Sequence, residues 1–140
     1  MEALRESVGV LLVSVCRAHR NRAAALLGTV GLYVGQEWVL FRLQEEEGAT
    51  PSELAERCDV EVPTISKALQ RMEQSGIVLK RQDGTDARIS RIYLTKQGRA
   101  VCEKVKALWF DLEHQTVTGL SAEERLLLRR LLMQLRTNLG

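Results

Sequence analysis

The chain has 140 residues, of which 45% are apolar and 27% charged, with a formal net charge of +2. At this length folding buries roughly two-thirds of the unfolded chain's surface, enough for one domain with an appendage and no disulfide or metal staple. The composition excludes disordered and fibrous classes, and a charge this small does not by itself announce a nucleic-acid partner.

The longest mostly apolar stretch, Val8 to Val15, is too short to span a membrane. Glu2 and Glu6 stand where a secretory signal needs a basic start, so no membrane partner and a cytoplasmic location are expected. Cys16, Cys58 and Cys102 are odd in number and far apart, which fits neither a disulfide framework nor a zinc knuckle. With only His19 and His114 besides, no metal site and no cofactor are expected.

In chain order, Leu4, Val8, Leu11, Leu12, Val15 and Ala18 recur at helical spacing, and the pattern runs on to Gly28, predicting one long first helix. Val10 and Val13 lie off that stripe, so the helix needs cover on more than one side, which a second chain can provide. Gly31 to Gly35 is a connector, and "QEWVLFRLQEEEG" predicts a helix ending at Gly48 that brings Trp38, Phe41 and Arg42 together. "TPSELAERC" has Thr50 as N-cap, Pro51 at the first helical position and Glu53 completing a capping box. Val62 to Ser75 predicts another helix, with Ile65, Leu69 and Met72 on its inner stripe and Gly76 as a left-handed stop.

"IVLKR" and "RISRIYL" alternate and carry β-branched residues on either side of "QDGTDA", which predicts a hairpin. From Thr95, Val101, Val105, Leu108, Trp109 and Leu112 mark a long helix that breaks at Gly119. A second capping box, Ser121 with Glu124, opens a last helix whose stripe is Leu128, Leu131, Leu132, Leu135 and Leu139.

Two short helices followed by a hairpin predict a mainly α fold with a small β-hairpin (α+β): a winged helix-turn-helix over 32–95, flanked by helices at 1–31 and 96–140. The second short helix would place Pro63, Thr64, Ser66 and Lys67 against base edges and phosphates in a major groove, with Arg71 one turn on at the backbone. Taken alone, Thr64 and Ser66 could equally cap or solvate a helix start. Between Val62 and Lys96, however, Lys67, Arg71, Lys80, Arg81, Arg88, Arg91 and Lys96 outnumber Glu73, Asp83 and Asp86, which concentrates positive charge where DNA would lie.

The stretch from "TPSELAERC" to "LTKQGRA" resembles the winged-helix core of the MarR family of bacterial and archaeal transcriptional regulators, over roughly Leu32 to Val105. Its most specific part is Asp-x-Arg followed by Leu-Thr, here Asp86, Arg88, Leu94 and Thr95, and then "KQGRA". The resemblance implies that Arg88 enters the minor groove from the wing tip and that Asp86 holds it there, consistent with the negative potential of a narrow groove. It implies a homodimer built from the first and last helices, through Leu4, Val8, Leu11, Leu12, Leu128, Leu131, Leu132 and Leu135. Such a dimer reads a palindromic operator with half-sites roughly 34 to 36 Å or a little more apart.

The resemblance further implies that a small amphipathic or phenolic ligand binds between the dimerisation helices and the winged domain and lowers DNA affinity. Arg17, His19, Trp38, Phe41 and Trp109 are the candidates for that pocket, although Trp38, Phe41 and Trp109 also read as core residues and His19 as a solvated one. Some relatives sense oxidants through a first-helix cysteine paired with tyrosines. Cys16 does not match that register and the first helix has no tyrosine, so a structural cysteine is expected there, while Cys58 and Cys102 read as core. A thiol-based sensor through Cys16 and a nonspecific architectural DNA-binding protein are the alternatives to a ligand-released repressor. No catalytic motif pairs a nucleophile with a base, so an enzyme is not expected.

Overall fold

The computed structural model describes residues 2–140. Helices α1 (Glu2–Arg5), α2 (Val8–Gly28), α3 (Gln36–Glu45), α4 (Pro51–Cys58) and α5 (Val62–Gln74) precede strands β1 (Val78–Gln82) and β2 (Ser90–Leu94), and α6 (Lys96–Thr116) and α7 (Ala122–Leu139) follow. The strands pair antiparallel, from Val78 opposite Leu94 to Gln82 opposite Ser90. The architecture is mainly helical with a two-stranded wing, as the sequence predicts.

The long first helix is interrupted. Ser7 is extended (φ −70°, ψ 145°) and its hydroxyl accepts the Val10 N–H at 3.3 Å, so the side chain restarts the helix as an N-cap and leaves Leu4 on the short α1. The third helix also ends sooner than Gly48. Glu46 is extended because the Gly48–Ala49 segment is drawn onto the wing: the Gly48 N–H donates to the Ile92 carbonyl at 2.8 Å and the Ile92 N–H to that of Ala49 at 2.9 Å. Both predicted capping boxes form, at Thr50 with Glu53 and at Ser121 with Glu124.

The core joins α3 to α6 and the wing. Leu40 and Leu43 of α3, Leu54 of α4, Leu69 and Met72 of α5, Ile92 of β2 and Val105 of α6 are buried together. Each such side chain stabilises the fold by roughly 1.5–3 kcal/mol. By contrast α2 buries Ala23 and Leu27 alone among its residues, and α7 buries none. Leu4, Val8, Leu11, Leu128, Leu131 and Leu132 are exposed in the single chain, and Leu12 and Leu135 are half-buried.

Candidate nucleic-acid interface

The inner stripe of α5, Ile65, Leu69 and Met72, is buried against the domain, which turns the opposite face outward. Pro63, Thr64, Ser66 and Lys67 are exposed on its first turns. The N-cap, Glu61, makes no side-chain capping bond, but Pro63 has no N–H and the Thr64 N–H donates to the Glu61 carbonyl at 3.1 Å, so this end offers a partner its side chains more than free amides. Arg71 is also exposed, and its guanidinium lies over the Tyr33 ring, 5.1 Å from the centroid, so a residue of the α2–α3 connector holds a cation on the recognition helix.

At the wing tip the Arg88 guanidinium grips Asp86 with two bonds, Nε to Oδ1 at 3.1 Å and Nη2 to Oδ2 at 3.0 Å, and Asp86 Oδ1 also accepts the Arg88 N–H at 3.0 Å. Arg88 nevertheless keeps 90% of its side chain exposed. The pair raises the Arg88 pKa and holds the Asp86 carboxyl below its ordinary value near 3.8. Behind it, Asp83 accepts from the Thr85 hydroxyl at 2.6 Å and from the backbone N–H groups of Thr85 and Asp86 at 3.1 Å each. With Arg91 as a further donor, these bonds hold the Asp83 carboxyl far below the ordinary range.

The root of the wing explains the Leu-Thr and "KQGRA" signature. The Thr95 hydroxyl donates to the Gly76 carbonyl at 2.6 Å and accepts the Gly98 N–H at 2.9 Å, while the Thr95 N–H donates to the Ile77 carbonyl at 3.0 Å. A side chain at Gly98 would collide with that same Ile77 carbonyl. Threonine and glycine at this spacing let α6 start flush against the strand leaving α5.

The proposed ligand residues are only partly gathered. The Trp109 ring lies 5.2 Å from that of Trp38 and 5.8 Å from that of His19, and Trp38 meets Phe41 edge-on at 5.9 Å. His19 is therefore half-buried against an indole instead of solvated. Arg17 is exposed. Two adjoining open cavities, about 380 and 280 Å³, share Phe41 and Lys106 as walls, one bounded by Trp38 and the other by Trp109.

Cys16 is exposed, unlike the structural cysteine expected there. Cys102 is buried and Cys58 packs at the core's edge, and burial pushes both thiols up. Among the described residues no cluster of three or more potential metal ligands occurs, and no helix is long and apolar enough to cross a membrane. Sequence reasoning counted Asp83 and Arg91 only as charges and did not single out Tyr33, so the support these three give the surface was missed. For Asp83 a signal existed, since Asp-Gly-Thr is a side-chain-capped turn sequence.

Two short helices, a buried-stripe recognition helix and a hairpin packed on its end define a winged helix-turn-helix protein. Residues 32–90 match the MarR family. An uncharacterized HTH-type transcriptional regulator, YwoH, of Bacillus subtilis is 29% identical over 105 residues, covering 75% of this chain and 76% of that protein. An HTH-type transcriptional repressor of Mycobacterium tuberculosis is 25% identical over 128 residues, covering 91% and 92%. A mutant MarR from E. coli, solved in complex with operator DNA, superposes with a TM-score of 0.81 at 26% identity, covering 91% of this chain and 92% of that one. The winged core of the chain, residues 32–90, belongs to the MarR family of winged helix-turn-helix transcriptional regulators, and these relatives are regulators rather than enzymes.

Proposed function

We propose that the protein is a repressor that binds a palindromic operator as a homodimer and is released by a small amphipathic or phenolic ligand. The observation that carries this reading is Arg88, almost wholly exposed at the wing tip yet fixed by two bonds to Asp86. An exposed ion pair stabilises a fold little, so this geometry is better explained as a guanidinium prepared for the minor groove. Pro63, Thr64, Ser66 and Lys67 would meet the major groove and Arg71 a phosphate, as the homologous MarR solved on operator DNA suggests by its likeness.

In this reading 32–95 is the DNA-binding domain, and 1–31 and 96–140 assemble the dimer. The exposed leucines of α2 and α7 supply the apolar area a second copy would cover, and a groove of about 720 Å³ between α6 and α7, walled by Val117, Leu128 and Leu132, would seat part of it. The Trp38, Phe41 and Trp109 cluster, with His19, offers flat apolar surface and a polar edge to a ring-shaped ligand, and Arg17 would serve only if the ligand or the partner reaches it.

Purified protein titrated onto the DNA upstream of its own coding region, with excess nonspecific competitor at near-physiological salt, tests the reading. Binding that survives competitor and falls at least tenfold in Arg88→Ala, with the melting temperature unchanged, is expected. Binding abolished by competitor would instead mark an architectural protein. The exposure of Cys16 favours one second reading, a thiol sensor; operator release by peroxide that Cys16→Ser abolishes would establish it.

A further inference from the structure

Asp83 and Arg91 lie behind the pair assigned to DNA, and they join segments that the sequence keeps far apart. The Arg91 guanidinium, reaching from β2, donates from Nε to Asp83 Oδ1 at 2.5 Å and from Nη1 to the Gly48 carbonyl oxygen at 2.9 Å. Asp83 uses its other carboxylate oxygen to fold the loop that presents Asp86, through Thr85 and the Asp86 N–H. One planar cation therefore ties the α3–α4 junction to the end of β1 and to the tip loop. Asp83 keeps only 13% of its side chain exposed and Arg91 36%, so solvent and salt screen this pair less than the one at the tip.

We propose that Arg91 and Asp83 are positioning residues for DNA recognition, which fix the direction in which the wing offers Arg88 without contacting the nucleic acid themselves. The proposal rests on the operator-binding reading above. Beyond the clamp, the loop is held across its base by the Asp83 N–H to the Ile89 carbonyl at 2.8 Å and the last strand pair, Gln82 with Ser90. Those bonds keep the strands together, and the pairing of Gly48 and Ala49 with Ile92 ties the root of β2 to the body, but neither reaches the tip loop. Without the clamp the tip samples several orientations, and Arg88 must lose that freedom each time it enters the groove. A lysine at position 91 would not replace the arginine, because a point charge lacks the planar fork that reaches both acceptors at once.

The test is a double-mutant cycle on operator binding with the full-length protein: wild type, Arg88→Ala, Arg91→Met and the double variant, with Kd read by fluorescence anisotropy. Arg91→Met should weaken binding about tenfold, the scale of one charge-assisted contact made unreliable. In the Arg88→Ala background the same change should alter Kd less than twofold, because its effect passes through Arg88. Unchanged affinity in Arg91→Met overturns the proposal, and so does an equal loss with and without Arg88, which would make Arg91 a direct DNA contact. If Arg91→Met does not fold, Asp83→Asn takes its place in the cycle under the same criteria. Wild-type protein that binds no operator under competitor refutes the regulator reading itself, and that result is seen before any variant is compared.

Discussion

Replacing Gly98 with alanine sets two effects of opposite sign against each other. Gly98 lies inside α6 and outside the left-handed region, where alanine is ordinarily favoured by about 0.5–1 kcal/mol. Its Cβ, however, would stand 2.0 Å from the Ile77 carbonyl oxygen and 3.0 Å from the carbonyl carbon. That carbonyl cannot simply turn aside, because it accepts the Thr95 N–H at 3.0 Å and lies 3.1 Å from the Thr95 hydroxyl. Since ordinary contact begins near 3.4 Å, two pieces of backbone must part by more than an ångström. Overpacking of about 1–3 kcal/mol and one or two weakened hydrogen bonds of about 1 kcal/mol each outweigh the helix preference, for a net loss of about 2–3 kcal/mol. In a chain of this size that lowers Tm by about 6–12 °C. Circular-dichroism melts at one fixed protein concentration measure it, because the proposed dimer would make Tm depend on concentration. Gly84→Ala, at an exposed position with nothing within 4 Å of the new Cβ, is the control and should stay within about 0.5 kcal/mol of wild type. A Gly98→Ala protein that melts at or above the wild-type temperature refutes the close approach.

Glu37 is fully buried, and burial pushes its carboxyl pKa above the ordinary 4.5 although the Gly35 N–H, at 2.6 Å, and nearby Arg20 pull it down. A folded pKa raised above 4.5 means that its stabilising contribution is complete below pH 4.5 and lost as pH rises through the higher folded pKa. Glu37→Gln keeps an acceptor for Gly35, so its Tm should exceed wild type at pH 8 and converge with it by pH 4; identical melts at pH 8 would contradict this. Leu132→Asp places a charge on the exposed leucine face of α7 and should give a monomer in sedimentation velocity at micromolar concentration, whereas a persistent dimer would move the interface elsewhere. Thr50→Ala removes the hydroxyl that caps Glu53 at 3.2 Å and should cost about 1 kcal/mol in urea unfolding; no change in the midpoint would show that the cap contributes nothing.

Local chemistry made much of this legible. The two capping boxes, the Ile65, Leu69 and Met72 stripe and the hairpin follow from patterns local in the sequence, and the structure has all three. What stayed hidden depended on partners distant in sequence or on a side chain with two possible roles. Ser7 suits an N-cap, but a helix interior tolerates serine, as at Ser14 of α2, and apolar periodicity runs straight past it. Glu46 leaves the helix because Ile92, far along the chain, takes up the Gly48–Ala49 backbone. Arg91 looks like one more cation in a basic stretch, and only the fold shows its fork turned inward to Asp83 and Gly48. In the same way Tyr33 sits in a connector, and nothing in its neighbours predicts that Arg71 will rest on its ring.

The acidic run Glu45–Glu47 has a kinetic consequence. Each carboxylate closes on an arginine of a helix: Glu45 on Arg42 of α3, Glu46 on Arg57 of α4, and Glu47 on Arg99 of α6. Among the described residues, none of Lys67, Arg71, Lys80 and Arg81 takes part in an ion pair. The small net charge therefore conceals a lopsided field, neutralised at the end of α3 and carried by unpaired cations in excess of Glu61 and Glu73 around α5 and β1. A molecule with such a field turns its recognition face toward a polyanion before contact, so association with DNA should be fast at low ionic strength and slow steeply as salt is added.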